Sequence, residues 1–174
     1  MYLLLITIGL CASYFGLLFL FSFFFNNEPP KISRNFLRSV MLIFFLSCAG
    51  YAVVYSIPNI ELGNRVLHAF GGGFMAFLVC FLVYRDMHLP ITKFQFFVLS
   101  ILIVTALGVA NEITECILQN ATGFIFSASI NDTWLDLVSN TIGSFVAALF
   151  FVPFINREKT ALIQTTDIGT FQKE

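Results

Sequence analysis

Charged residues are scarce in this sequence, and the long stretches between them are almost entirely apolar. Only 11% of the 174 residues are charged, whereas 58% are hydrophobic, and the mean hydropathy is +0.88. An ordinary soluble domain has about 25% charged residues. The composition therefore excludes a typical soluble fold and indicates a protein embedded in the lipid bilayer.

Several functional patterns are also missing. The net charge is −1 and no basic cluster occurs, so nothing indicates a nucleic-acid partner. The four cysteines are irregularly spaced and include no C-x-x-C pair, which argues against a cysteine-based zinc site and a disulfide framework. The G-x-S-x-G and H-E-x-x-H signatures of common hydrolases are absent as well.

The apolar stretches are long enough to cross a membrane five times. A transmembrane helix needs about 20 apolar residues, and prolines or charged residues separate the stretches, as in residues 26–31. We therefore predict an all-α polytopic integral membrane protein, with one five-helix bundle in residues 1–156 and a polar tail in residues 157–174. The predicted spans are residues 1–25, 36–57, 66–84, 94–118 and 133–155.

The distribution of basic residues predicts how the bundle is oriented. If the five spans alternate in direction, eight of the nine Lys and Arg residues fall on one side and only Arg65 falls on the other. Positively charged loops remain cytoplasmic, so we expect an outside amino terminus and a cytoplasmic tail in the plasma (inner) membrane. The eight residues are Lys31, Arg34, Arg38, Arg85, Lys93, Arg157, Lys159 and Lys173.

The few polar residues of the last three spans fall at similar depths near the outer face. Ionisable groups inside a membrane are costly and usually mark a functional site. We therefore predict one outward-opening polar pocket with loop 119–131 close to its mouth. The candidate pocket residues are Arg65, His68, Asn111, Glu112, Glu115, Asp132, Asp136 and Asn140.

Small residues continue the polar faces of two of these spans. In the fifth span, Asp136, Asn140 and Gly143 share one helical face, and in the third span Gly72 follows His68 on the same face. Small residues let helices approach closely within a bilayer. We therefore expect the third, fourth and fifth spans to form one packed core.

Some of the candidate residues also have an ordinary structural interpretation. His68 alone is more typical of a hydrogen-bonded packing residue than of a ligand, and Arg65 is equally typical of an interfacial anchor. Asp132 fits the position of a helix N-cap. No such interpretation covers the acidic residues within the apolar runs, which are Glu112, Glu115 and Asp136.

The arrangement of these residues resembles a known family. Residues 64–72 are similar to the R-x-x-H-x-x-x-G segment of the YjdF-like bacterial inner-membrane proteins (DUF2238). The Glu112-x-x-Glu115 pair and the D-T-x-x-D-x-x-x-N-x-x-G segment in residues 132–143 are similar to their second half. VanZ-like proteins share a similar layout, but Glu115 stands where they have Gln, and the linker here lacks their arginine. The YjdF-like resemblance is therefore the closer one, and it implies a bacterial inner-membrane protein without a settled biochemical activity.

Three functions are compatible with the sequence, and we favour the first. It is binding of a lipid or envelope-precursor headgroup, with Arg65 facing a phosphate. The second is a metal-dependent membrane hydrolase holding a divalent ion such as Zn²⁺ or Mn²⁺. The third is a proton- or cation-coupled transporter, which with five spans per chain requires a homo-oligomer. The metal ligands in the second case would be His68, Glu112, Glu115 and Asp136.

The predicted orientation can be checked with reporter fusions. Green fluorescent protein fused after Glu174 should be fluorescent, and alkaline phosphatase inserted at Gly123 should be active, because the basic residues place these positions on opposite sides. Exchanging the two reporters provides the control. Phosphatase activity from a fusion at Glu174 would contradict the orientation and the outward opening of the pocket.

Overall fold

The computed structural model describes residues 2–26, 34–124 and 129–155, which are almost entirely helical. No strand occurs among these residues. We number the helices in chain order and treat Ile60–Met87 as one helix with a π-helical middle. They are α1 (Tyr2–Phe21, continued by a π-helical turn at Ser22–Asn26), α2 (Arg34–Tyr55), α3 (Ile60–Met87), α4 (Lys93–Thr122) and α5 (Ile130–Phe151, continued by a 3₁₀ turn at Val152–Phe154).

Each helix contains a segment long and apolar enough to cross a membrane, which confirms the all-α polytopic fold. Large apolar side chains cover the outer faces of the helices, as Phe19, Leu149 and Phe150 illustrate. In water such surfaces would drive association. They are instead suited to contact with lipid acyl chains, so the bilayer is the immediate environment of the bundle.

Helices α3 and α5 begin earlier than the apolar runs predicted. Helix α3 begins at Ile60 rather than residue 66, and the side chain of Asn59 accepts a hydrogen bond from the Leu62 amide as its N-cap. Helix α5 begins at Ile130 rather than residue 133, with Ser129 as its N-cap. The interpretation of Asp132 as the N-cap was therefore wrong, because the polar residues before the apolar run belong to the first helical turn.

Helix α4 also continues beyond its predicted end at residue 118. It ends at Thr122 because Gly123 adopts a left-handed conformation with φ of 73° and donates its amide to the carbonyl of Gln119. At its other end, Thr92 and Gln95 form a capping box that starts the helix at Lys93. The longer α4 carries Glu112 and Glu115 well inside regular helix. The loop residues 125–128 and the tail lie outside the described residues.

The middle of α3, His68–Met75, is a π-helix that packs against α5. A Cβ atom on Gly73 would come within 2.8 Å of the Cα of Gly143, and a Cβ on Gly143 would overlap the carbonyl of Ala69. The two backbones therefore touch, which confirms the predicted small-residue packing. π-Helical segments inside longer helices are uncommon and occur frequently at functional sites.

Beyond the π-helix, an aromatic layer joins α3 to α4 and α5. The Phe77 and Phe96 rings meet edge to face at a centroid distance of 5.6 Å, and Phe81 stacks on Phe151 at 5.0 Å. Such ring pairs contribute packing beyond their buried area. This layer fixes the positions of α4 and α5 relative to α3, and so the positions of the polar residues they carry.

Because the backbones of α3 and α5 are in contact, one added methyl group at this contact should lower the stability of the protein. Gly143→Ala should lower the free energy of unfolding in detergent by about 1–3 kcal/mol, because the added Cβ meets the Ala69 backbone, which cannot rotate away. Gly9→Ala is the matched control, since outside its own helix no described residue has an atom within 4 Å of the added Cβ. Equal unfolding energies for the two variants would contradict the close packing.

Candidate functional site

Arg65 joins α3 to the first turns of α5 through two carboxylates. Its Nη1 and Nη2 atoms pair with the carboxylates of Asp136 and Asp132, and Nη1 also donates to the Asp132 carbonyl at 3.1 Å. Asn64 donates a further hydrogen bond to Asp136 Oδ1 at 3.2 Å. Asp136 is only 2% exposed, and a buried carboxylate charge is unfavourable in an apolar environment. Arg65 and Asn64 supply the cation and the hydrogen-bond donor that stabilise it.

His68 stands one helical turn further along α3, between α4 and α5. Its Nε2 lies 3.5 Å from Asp136 Oδ1, and its Nδ1 lies 4.0 Å from Glu112 Oε1. The two ring nitrogens thus face carboxylates on two different helices. His68 is the residue that connects the Arg65 ion pairs to the acidic residues of α4.

The two glutamates of α4, Glu112 and Glu115, differ in the hydrogen bonds that their carboxylates accept. Glu115 is half-buried and accepts a hydrogen bond from Asn111 at 2.9 Å. Glu112 is 8% exposed; the side chains of Asn111 and Thr133 lie close to its carboxylate, but neither oxygen accepts a hydrogen bond of normal geometry among the described residues. A buried carboxylate without donors is costly. Glu112 is therefore the group in this cluster that most requires an additional partner.

Asn140 occupies a gap that two glycines provide. A Cβ on Gly72 of α3 would come within 2.8 Å of Asn140 Cγ, and one on Gly108 of α4 would lie 3.1 Å from Nδ2. The Asn140 side chain is buried, and its Oδ1 atom has no hydrogen-bond partner among the described residues. The amide is thus wedged between the two neighbouring helices below the charged cluster.

The eight predicted site residues lie in the half of the bundle where α3 and α5 begin and α4 ends, with Asn140 near the middle of α5. One subset, His68, Glu112 and Glu115, offers ligand atoms that all lie within 4.8 Å of one another. Asp136, which the sequence placed in the same metal set, lies on the opposite side of the imidazole and binds Arg65. Asn111 is exposed and reaches the cluster through Glu115.

A crevice lies elsewhere in the bundle and contains none of the predicted site residues. Its walls come from α1, α2 and residues 67–75 of α3, and they are mostly apolar. The polar residues of the candidate site instead pack against one another. The lining residues of the crevice are Ile6, Leu10, Ser47, Tyr51, Leu67, Phe70, Gly71 and Met75.

A second polar cluster at the other end of α3 was not predicted. Asp86 is buried and accepts hydrogen bonds from the Tyr14 hydroxyl at 2.6 Å and from Ser39 Oγ at 2.5 Å. Arg85 donates to Asp86 at 2.9 Å and to Ser39 at 2.8 Å. In the sequence, Arg85 and Asp86 directly follow the predicted end of the third span at residue 84, as loop residues would. The isolated polar groups of Tyr14 and Ser39 were the only signal of a cluster that joins α1, α2 and α3.

A model of the predicted membrane protein family DUF2238 matches residues 4–157. The chain belongs to this family. The match confirms the YjdF-like resemblance and extends it to the first two spans, which the motifs alone left unmatched. No curated protein and no solved structure matches the chain. Family membership therefore establishes a membrane protein, and the chemistry has to be argued from the polar cluster.

The ion pairs of Arg65 predict a large stability effect. Arg65→Gln should lower the free energy of unfolding by about 3 kcal/mol, since it leaves Asp136 buried without its cationic partner. This is the lower end for a buried pair because Arg65 and Asp132 are each 18% exposed. Unfolding in detergent, followed by the fluorescence of the single tryptophan, Trp134, gives the measurement.

Arg38→Gln provides the matched control, because Arg38 is exposed on α2. The double variant Arg65→Gln/Asp136→Asn should be more stable than the sum of the two single effects predicts. The reason is that Asp136→Asn removes the buried carboxylate charge that Arg65→Gln leaves without a partner. An Arg65→Gln variant no less stable than Arg38→Gln would contradict the role of Arg65 as the link between α3 and α5.

Proposed function

We propose that this protein binds the polar headgroup of a lipid or cell-envelope precursor at the α3–α4–α5 cluster, on the extracytoplasmic side of the membrane. The observation that carries the proposal is the buried Glu112 carboxylate, which has no hydrogen-bond partner among the described residues. Such a group is stabilised by a ligand that brings donors or positive charge. At 1.5 Å per residue, His68, Glu115 and Glu112 lie roughly 10–15 Å along their helices from the ends nearest the cluster, so a headgroup would reach them by entering between the helices.

The charges of the cluster specify what such a headgroup must supply. Four carboxylates belong to the cluster, and Arg65 is already paired with two of them, Asp132 and Asp136. A bare phosphate bound by Arg65, as the sequence suggested, would therefore meet a site with an excess of negative charge. A headgroup with an ammonium group, or one bound through a bridging cation, satisfies Glu112 and Glu115 instead.

The position of Trp134 is consistent with a site at headgroup level. Trp134 is exposed in the first turns of α5, between Asp132 and Asp136 in the sequence. Tryptophan is enriched at membrane–water interfaces, where its ring lies among the headgroups. An interfacial Trp134 places the neighbouring carboxylates within reach of a lipid headgroup from the same leaflet.

The hydrolase alternative has less support from the arrangement of the carboxylates. Such an enzyme needs metal ligands and a further group to act as general base. Asp132 and Asp136 are occupied by Arg65, and Glu112 and Glu115 are the two that would bind the metal together with His68. None of these four carboxylates is then left over as the base, so binding is the function that this geometry favours.

The transporter alternative has less support because an apolar layer follows the cluster along α3. Phe77, Val79 and Val83 are fully buried between His68 and Asp86. These two residues are about 27 Å apart along the helix at 1.5 Å per residue. A proton or cation relay requires polar groups or water along this distance. The layer instead separates the two ends of the bundle.

The proposal can be tested by native mass spectrometry of the detergent-purified protein titrated with lipids that differ only in the headgroup. Phosphatidylethanolamine, phosphatidylglycerol and phosphatidylcholine are the probes, each with and without chelator. We expect retention that depends on the headgroup and that Glu112→Gln lowers at least about tenfold, the equivalent of roughly 1.4 kcal/mol. Glu61→Gln, the same change at an exposed position of α3, should have no effect.

The chelator identifies the source of the positive charge. Chelator-resistant binding of phosphatidylethanolamine supports an ammonium contact, and chelator-sensitive binding of phosphatidylglycerol supports a bridging cation. Equal retention of all three lipids, or equal effects of Glu112→Gln and Glu61→Gln, would contradict headgroup binding at this cluster.

A further inference from the structure

We propose that His68, Glu112 and Glu115 form a binding site for a divalent transition metal, Zn²⁺ or Mn²⁺. This metal would be the cation through which an anionic headgroup binds, and in that one respect the site rests on the proposed function. The three residues come from α3 and α4, two helices whose relative position is fixed by the packing around Gly72, Gly108 and Asn140. A site of this kind is therefore largely preformed.

The separations between the candidate ligand atoms suit a single ion. Ligand atoms in tetrahedral coordination, each about 2.1 Å from the metal, are about 3.4 Å apart. Nδ1 of His68 and Oε1 of Glu112 are 4.0 Å apart, and all three ligand atoms lie within 4.8 Å of one another. The His68–Glu112 separation then has to close by about 0.6 Å and the widest separation by no more than about 1.4 Å, which rotations of the Glu112 and Glu115 side chains provide.

Glu112 supplies an independent indication of a missing partner. Its side chain is more than nine-tenths buried, and both carboxylate oxygens have no hydrogen-bond partner among the described residues. An ordinary structural carboxylate in a bilayer is paired, as Asp86 and Asp136 are here. A metal bound between Glu112 and His68 would satisfy this carboxylate without any change in the fold.

The groups around the three ligands have the arrangement that supports metal ligands in proteins. A metal-bound histidine usually directs its other ring nitrogen at a carboxylate. With Nδ1 facing Glu112, the Nε2 atom of His68 faces Asp136 at 3.5 Å, and Arg65 holds that carboxylate in place. On the other side, Asn111 orients Glu115 by a hydrogen bond of 2.9 Å.

The ligand types select the class of ion. Imidazole nitrogen suits Zn²⁺ and other transition metals, whereas Mg²⁺ and Ca²⁺ prefer sites built entirely from oxygen. One nitrogen with two carboxylates, as His68, Glu112 and Glu115 offer, is compatible with Zn²⁺ and with Mn²⁺. Three protein ligands leave at least one coordination position for water or for an oxygen atom of a bound headgroup.

The metal site is tested on the full-length protein in detergent without added lipid. Chelator-treated protein is titrated with Zn²⁺, Mn²⁺ and Mg²⁺ by isothermal calorimetry, and the metal retained after dialysis is measured by mass spectrometry. We expect about one equivalent of Zn²⁺ or Mn²⁺ and much weaker binding of Mg²⁺. Glu112→Gln and His68→Ala should each weaken binding more than about 100-fold, and Asp136→Asn about 10–100-fold.

Glu61→Gln is the matched control and should bind metal as the native chain does. Thermal unfolding of each metal-free variant verifies the fold, and Glu115→Gln replaces any variant that does not fold. Binding below stoichiometric amounts, or a native affinity in Glu112→Gln and Glu115→Gln, would overturn the metal site. Metal binding that these variants abolish, together with lipid retention that shows no headgroup dependence, would support the metal site and contradict the proposed function alone.

Discussion

The ion pairs of Arg65 are the interaction on which the polar end of this bundle depends. A carboxylate as deeply buried as Asp136 would be strongly disfavoured within a bilayer if it had no cationic partner. Arg65 and Asn64 bind it from α3, and Arg65 extends the same contact to Asp132. Because Asp136 also faces Nε2 of His68, the orientation of the imidazole is linked to the arginine. The other ring nitrogen is thereby directed towards Glu112, and the acidic residues of α4 face a histidine whose position is already determined.

Glycine makes this arrangement sterically possible. Long polar side chains can meet across α3, α4 and α5 only if the backbones below them are close, and Gly73 and Gly143 bring α3 and α5 into contact. Gly72 and Gly108 leave the space in which the Asn140 amide fits. Three consecutive glycines would weaken a helix in isolation, and here the π-helical segment that contains them is held by its neighbours. The local stability that α3 loses at this point is compensated by contacts that place His68 and Asn140 at the centre of three helices.

The sequence was sufficient for the fold class, for the packing face of α5 and for the set of helices that meet at the polar end. Hydropathy determines which segments enter the bilayer, and the spacing of Asp136, Asn140 and Gly143 determines a common face. Which side chains pair could not be predicted from the sequence, because the rotation of α3 relative to α5 decides whether Arg65 faces Asp132, Asp136 or a ligand. The helix starts at Ile60 and Ile130 were missed because the N-caps Asn59 and Ser129, which lie before the apolar runs, determine them and hydropathy does not detect such caps. The cluster around Asp86 was missed because its partners, Tyr14 and Ser39, come from distant spans.

The two polar clusters of the bundle differ in a way that bears on function. At one end, Asp86 accepts hydrogen bonds from three side chains, which is the condition expected of a structural carboxylate. At the other end, Glu112 is equally shielded from solvent but has no hydrogen-bond partner among the described residues. Both clusters occur in the same kind of environment and contain an arginine, so burial alone does not explain the difference. A fold that satisfies one buried carboxylate completely and leaves another open, beside a histidine and a second glutamate, has the property expected of a site that is completed by a ligand. This difference in hydrogen bonding, more than the number of acidic residues, is why we assign the proposed binding site to the end with Glu112 and a structural role, joining α1, α2 and α3, to the end with Asp86.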